Sequence, residues 1–159
     1  MHNFTLPEST KVVGTLKPAT DAAGRTGRYV AVTNLLKLYA VFHLDQGNAA
    51  TVTVDFLQAT DKSGTGAKAV AGVRRIWSDL DVATSDALVR QTDAQTYTTD
   101  AAVKEKTVIL ELLPSDLDLA NGFVWVAPRT GASNVANLTQ CEVIAVPAYP
   151  GASQPSVTT

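Results

Sequence analysis

Apolar residues fall at alternate positions in short runs along this chain, and the runs are separated by Gly, Pro, Asn and Asp. The clearest run is "ATVTVDFLQ" (50–58). There Val52, Val54 and Phe56 lie on one face, with Thr51, Thr53 and Asp55 on the other, the alternation of a half-buried antiparallel strand. Seven further runs read as strands: "KVVGTL" (11–16), "RYVAVT" (28–33), "KLYAVFHLD" (37–45), "AKAVAGVRRIW" (67–77), "EKTVILELL" (105–113), "GFVWVAP" (122–128) and "QCEVIAV" (140–146). In "EKTVILELL" the inward set is Val108, Leu110 and Leu112, leaving Thr107 and Glu111 outside. Phe123, Trp125 and Ala127 share one strand face and read as core. "KLYAVFHLD" is apolar on both faces: Leu38, Ala40, Phe42 and Leu44 on one, Tyr39 and Val41 on the other. Such a strand is either central in a two-layer core or covered by a partner. Eight strands at this spacing predict an all-β fold, an antiparallel β-sandwich or jelly roll with short helical turns and extended terminal arms.

Between the strands the pattern weakens. "KPATDAAGRTG" (17–27) reads as a loop. Residues 78–104 carry helix N-caps at Ser78, Ser85 and Thr99, which predict a helical turn or two and a short strand. "PSDLDLANG" (114–122) predicts one helical turn, begun by Pro114 and Ser115 and stopped by Gly122. "DQGNAA" (45–50) joins two apolar strands, with Gly47 and Asn48 supplying positive φ. The ends lack hydrophobic periodicity. The organisation is therefore an N-terminal arm over 1–10, a single sandwich domain over 11–146 and a C-terminal arm over 147–159, with neither arm expected to join the core.

Composition narrows the function classes. A chain of 159 residues with 45% hydrophobic and 18% charged residues is sized for one core. Thirteen Lys and Arg against fifteen Asp and Glu leave a formal charge of −2, without the basic stripe that nucleic acid requires. No apolar run approaches the ~20 residues of a membrane-spanning helix, and "MHNFTLPEST" lacks the basic and apolar regions of a signal peptide. A soluble chain made in a reducing cytoplasm is expected, and lone Cys141, in an apolar run, reads as a small buried hydrophobe.

Candidate chemistry is sparse. "SGTGAK" (63–68) resembles a phosphate loop, but Ala67 precedes Lys68 and no Ser or Thr follows, so it reads as a hairpin corner. His43 lacks a nucleophile motif. The pairs Asp79/Asp81 and Asp116/Asp118 lack the spacing of a calcium loop and read as solvated carboxylates. Neither a catalytic residue, a metal ligand nor a cofactor is expected.

Three segments, "KLYAVFHLDQGNAATVTVDFLQATDKSGTGAKAV" (37–70), "TDAQTYTTDAAVKEKTVILELLPSDLD" (92–118) and "GFVWVAPRTGASNVANLTQCEVIAV" (122–146), resemble tailed-bacteriophage head decoration (cement) proteins. The resemblance implies a non-enzymatic subunit on the capsid exterior, made in the host bacterial cytoplasm. Its implied partners are the major capsid protein and itself, as a dimer or trimer, with no nucleic acid and no membrane. Other readings are a head-fibre, tail or head–tail joining component, or a small carbohydrate-binding sandwich using Trp77, Trp125 and Tyr97. A hydrolase using Asp79, Asp81 or Asp86 with His43 ranks last. The arms supply the expected interface residues, Phe4, Leu6 and Pro7 at one end and Tyr149, Pro150 and Val157 at the other, because unpatterned apolar residues need a surface to cover them.

Overall fold

The computed structural model describes residues 5–149 and 155–159. A single helical turn, α1 (Leu6–Ser9), leads into β1 (Lys11–Thr20), β2 (Arg25–Thr26), β3 (Val30–Ala31), β4 (Leu35–Gln46) and β5 (Thr53–Ala59). There follow β6 (Lys68–Ala69), β7 (Ile76–Asp79), β8 (Val89–Arg90), β9 (Tyr97–Thr98), β10 (Glu105–Leu112), β11 (Trp125–Thr130) and β12 (Asn137–Pro147). One sheet runs β1-β12-β4-β10-β7-β8. The other runs β2-β11-β5-β6, with β3 also on β11 and β9 also on β5. Every pairing is antiparallel.

The pairings are nested: β1 with β12, β2 with β11, β4 with β10, and β5 with β6. A chain that folds back on itself in this order, with successive pairs alternating between sheets, is a jelly roll. The sandwich expected from the hydrophobic pattern is therefore present, and strand order selects the jelly roll from the alternatives. Between the sheets lie Phe42, Phe56, Leu38, Leu110, Leu112 and Ile76, all at or near zero exposure. The predicted inward sets of β5 and β10 are both there.

Several local expectations give way to tertiary context. The loop expected from residue 17 begins later, because β1 continues to Thr20 through two bulges opposite β12. "RYVAVT" yields only β3. Pro128 explains why: it lies in the middle of β11, its carbonyl accepts from Gly27 N–H at 2.8 Å, and it has no N–H to return to the same side. The strand flanking β11 is consequently split into β2 and β3. "AKAVAGVRRIW" is likewise two strands, β6 in one sheet and β7 in the other, with the chain crossing between them.

No helix forms between Ser78 and Lys104 among the described residues. The polar side chains there close turns locally instead, as Ser, Thr and Asp do when they compete with the helix backbone. Asp79 Oδ1 accepts Asp81 N–H at 3.0 Å and Ser85 Oγ accepts Ala87 N–H at 3.0 Å. Thr99 is inside, where its hydroxyl accepts Val52 N–H and donates to Gln46 Oε1. The turn expected at 114–122 is two short 3-10 turns, Pro114–Asp116 and Leu119–Asn121, ended by Gly122 at φ 79°.

The 45–50 corner also differs. It carries the chain from one sheet to the other, and neither Gly47 nor Asn48 has positive φ. Gly47 is required by proximity, since a Cβ there would sit 2.5 Å from the Ala136 carbonyl oxygen. Gly47→Ala should therefore lower stability by about 1–3 kcal/mol, the usual cost of overpacking. Gly14→Ala, with nothing within 4 Å of its Cβ, should stay within about 0.5 kcal/mol of the parent. Urea denaturation of the two variants tests the contrast; equal midpoints would contradict it.

Candidate interaction surface

The outer face of the β1-β12-β4-β10-β7-β8 sheet is covered by no further layer of the described residues. Antiparallel register aligns its outward side chains in rows across the strands. One row is Val12, Ile144, Tyr39 and Glu111. The next is Gly14, Glu142, Val41, Ile109 and Trp77. Tyr39, Val41, Ile109, Ile144 and Trp77 are half-buried, and Val12 is exposed. These apolar residues are direct cross-strand neighbours, the positions at which side chains pair across a sheet, and they remain partly open to the outside. Beyond them come Gln140, His43 and Thr107, then Leu138, Asp45 and Glu105.

β4 is central in its sheet, with its Leu38–Leu44 side in the two-layer core, while no other layer of the described residues lies over its Tyr39–Val41 side. The same two-sided pattern was present in "TVILELL" and "EVIAVP", where Ile109, Ile144 and Val146 belong to the outer face.

Charges on the upper part of the face are paired. Glu111, almost fully buried, takes Lys37 at 3.4 Å and Arg75 at 3.2 Å. A hydrogen bond to Tyr39, with Glu111 alongside, holds the Lys37 ammonium above its ordinary value. Arg90 stacks on Trp77 at 5.1 Å and pairs with Asp93. Asp45, Glu105 and Glu142, by contrast, have no hydrogen bond or ion pair from their carboxylates among the described residues.

The sequence candidates are dispersed. His43 is exposed on this face with Thr107 Oγ1 3.3 Å from Nδ1. Thr107 also separates it from Asp79 in the same row, two strand spacings of ~4.8 Å away, so no carboxylate orients the ring. Asp81 pairs with Lys104, which holds its carboxyl below the usual range. Asp118 pairs with Lys68 at 2.6 Å and with Asn121. Asp116 caps Leu113 N–H. No group of metal-ligating side chains converges among the described residues. "SGTGAK" is the β5–β6 corner, with Asp61 accepting Ser63 and Thr65 N–H and Gly64 and Gly66 at positive φ. Cys141 is fully buried, and desolvation pushes its thiol up, away from the reactive thiolate.

The aromatics required for a sugar platform do not meet. Trp77 lies on the outside of the sheet that contains β4 and β7, and Tyr97 reaches through the core to donate to Ser78 Oγ at 3.0 Å. Trp125 and Ala127 pack on Tyr29 and Ala59 outside the other sheet. Val126, one residue out of the expected phase, is the β11 residue that faces the main core.

At the termini, Phe4 and Pro150 lie outside the described residues. Leu6 and Pro7 sit exposed in α1, and Leu6 borders an apolar depression with Leu36, Tyr39, Ile144 and Val146. Tyr149 is 79% exposed. Val157 differs from expectation: it is 6% exposed, packed with Val13 and Val30, and its carbonyl accepts Ala31 N–H at 2.7 Å. The end of the C-terminal segment thus joins the chain's own core, because the gap between β1 and β3 needs an apolar plug.

Two buried polar clusters carried no signature in the sequence. Asp21, with no exposure, binds Arg25 and the hydroxyls of Thr130 and Thr139. Lys106, also without side-chain exposure, donates to Gln46 Oε1 at 2.9 Å and to Asp100 Oδ1 at 2.6 Å. Both tie strands together away from the open face.

No protein-family model and no curated protein matches the chain. Among solved structures it is similar to the SPBc2 prophage-derived protein YomS, at 10% identity and a TM-score of 0.46, over 91% of this chain and 99% of that one. It is similar to a chain of Triatoma virus at 10% identity and a TM-score of 0.38, over 99% and 72%. A chain of the empty Triatoma virus capsid gives 11% identity and a TM-score of 0.36, over 97% and 96%. The jelly-roll assignment rests on the strand order of this chain itself.

Proposed function

We propose that this chain is a non-enzymatic virion structural protein that binds the outside of a phage head and stabilises the capsid by bridging major capsid subunits. The observation that carries the reading is the open apolar face on a sheet whose other side already closes a complete core. Contiguous apolar surface of this kind is what protein–protein contact uses. The resemblance of residues 37–70, 92–118 and 122–146 to decoration proteins points to the same role, with the chain acting as a dimer or trimer. Many weak contacts repeated over a shell add up by avidity, and binding then favours the assembled state by mass action.

Heads assembled with and without the chain should differ in resistance to heat or osmotic shock, the decorated particles surviving conditions that open the bare ones. Equal survival would remove the reading. Copy number separates it from a head–tail joining ring: a decoration protein approaches the number of capsid subunits, and a ring contributes about a dozen or fewer.

A further inference from the structure

We propose that the outer face of the β1-β12-β4-β10-β7-β8 sheet is the docking face, and that its occupant is a protein surface with an apolar centre and Lys or Arg side chains opposite Asp45, Glu105 and Glu142. The inference rests on the virion reading for the particle that carries this partner.

Charge is the argument. Asp45 and Glu105 are direct cross-strand neighbours in the β4–β10 register, an arrangement that like charges disfavour. Nothing in the described chain neutralises either one. Glu142 is exposed in the second row, beside Val41 and opposite Gly14, also without a partner. Gly14 places no side chain there and leaves open space next to the carboxylate. A long cationic side chain lying over Gly14 reaches Glu142 while its methylenes cover the neighbouring apolar surface. Of the nearby cations, Lys37 and Arg75 are held by Glu111 and Arg90 by Asp93, while Lys17 lies in the bulged part of β1, outside these rows.

The same pattern decides against a second copy as the occupant. Facing copies would each present the three carboxylates and no unengaged cation from these rows. The face is large enough for the centre of a partner's footprint and not for all of it. From Lys37 to Asp45 it runs roughly 26 Å, and from β1 to β7 roughly 20 Å. A standard interface takes ~800 Å² from each side, about a tenth of this chain's 8024 Å².

The test is binding of the purified protein to heads assembled without it, measured by co-sedimentation over a range of salt. The parent should bind, more weakly as salt rises. The triple variant Asp45→Asn, Glu105→Gln, Glu142→Gln should bind at least about tenfold more weakly at low salt and lose most of the salt dependence. Free in solution it should melt no lower than the parent, since a repulsion has been removed. Ile144→Asp, in the apolar centre, should also bind poorly. If the triple variant binds with the affinity and salt response of the parent, the docking inference is wrong and the virion reading stands. If the parent itself fails to bind, both fall. A dimer of the free protein that Ile144→Asp disperses would make a second copy the occupant and overturn the assignment.

Discussion

Asp21→Ala is expected to destabilise the fold by about 3–5 kcal/mol, the cost of removing one member of a buried ion pair. For a chain of this length that lowers the melting temperature by roughly 10 °C. Asp21 has no exposed surface, and the Arg25 guanidinium beside it keeps only a fifth of its own. Arg25 also donates to the carbonyls of Lys17, Ala19 and Thr139. Those carbonyls hold the guanidinium in place without cancelling its charge. Removing the carboxylate therefore leaves a cation buried among dipoles, and it orphans the hydroxyls of Thr130 in β11 and Thr139 in β12. The damage falls where the two sheets are tied together, so local relaxation cannot absorb it.

The conservative change separates charge from shape. Asp21→Asn keeps the volume and one acceptor but gives Arg25 no negative partner, so it should fall between the parent and Asp21→Ala. Urea denaturation measures the order. Equal stability of Asp21→Ala and the parent would show that the cluster is incidental to the fold.

This cluster also shows what can be read along a chain. Alternation located β1, β4, β5, β10, β11 and β12, because each buries one face in the same core and the period survives in the residue order. The outward phase of Trp125 escaped, since a strand with apolar residues on both sides offers two phases and only the partner sheet chooses between them. Asp21 sits in a stretch that reads as loop, and beyond Arg25, four residues on, its hydroxyl partners are 109 and 118 residues away. Contacts at that separation leave no periodic trace. The open face was half legible: Tyr39 and Val41 marked β4 as two-sided, whereas the unpaired state of Asp45, Glu105 and Glu142 depends on register. Val157 was hidden for the same reason, as only the fold brings Val13 and Val30 to meet it.

Lys106 is expected to obey a different rule from Asp21, because its partner is half in water. The Asp100 side chain is 48% exposed while that of Lys106 is fully buried. Lys106→Ala should cost about 3 kcal/mol, chiefly through the cavity left in a close-packed region. Lys106→Met fills that volume, frees Asp100 to hydrate, and leaves Gln46 Oε1 its hydrogen bond from Thr99. It should therefore stay within about 1 kcal/mol of the parent near neutral pH, as apolar replacements of buried ion pairs often do. Acid discriminates further. The hydrogen bond from Lys106 holds the Asp100 carboxyl below its ordinary value, so the pair stabilises the fold above the unfolded carboxyl value of ~3.9. That contribution is lost as pH falls through the folded value. Lys106→Met lacks the contribution and should show a flatter loss of stability over the same interval. If Lys106→Met were as unstable as Lys106→Ala with an unchanged acid limb, packing and charge would be inseparable here, and the lysine would be needed for its hydrogen bonds to Gln46 and the Asp100 carbonyl.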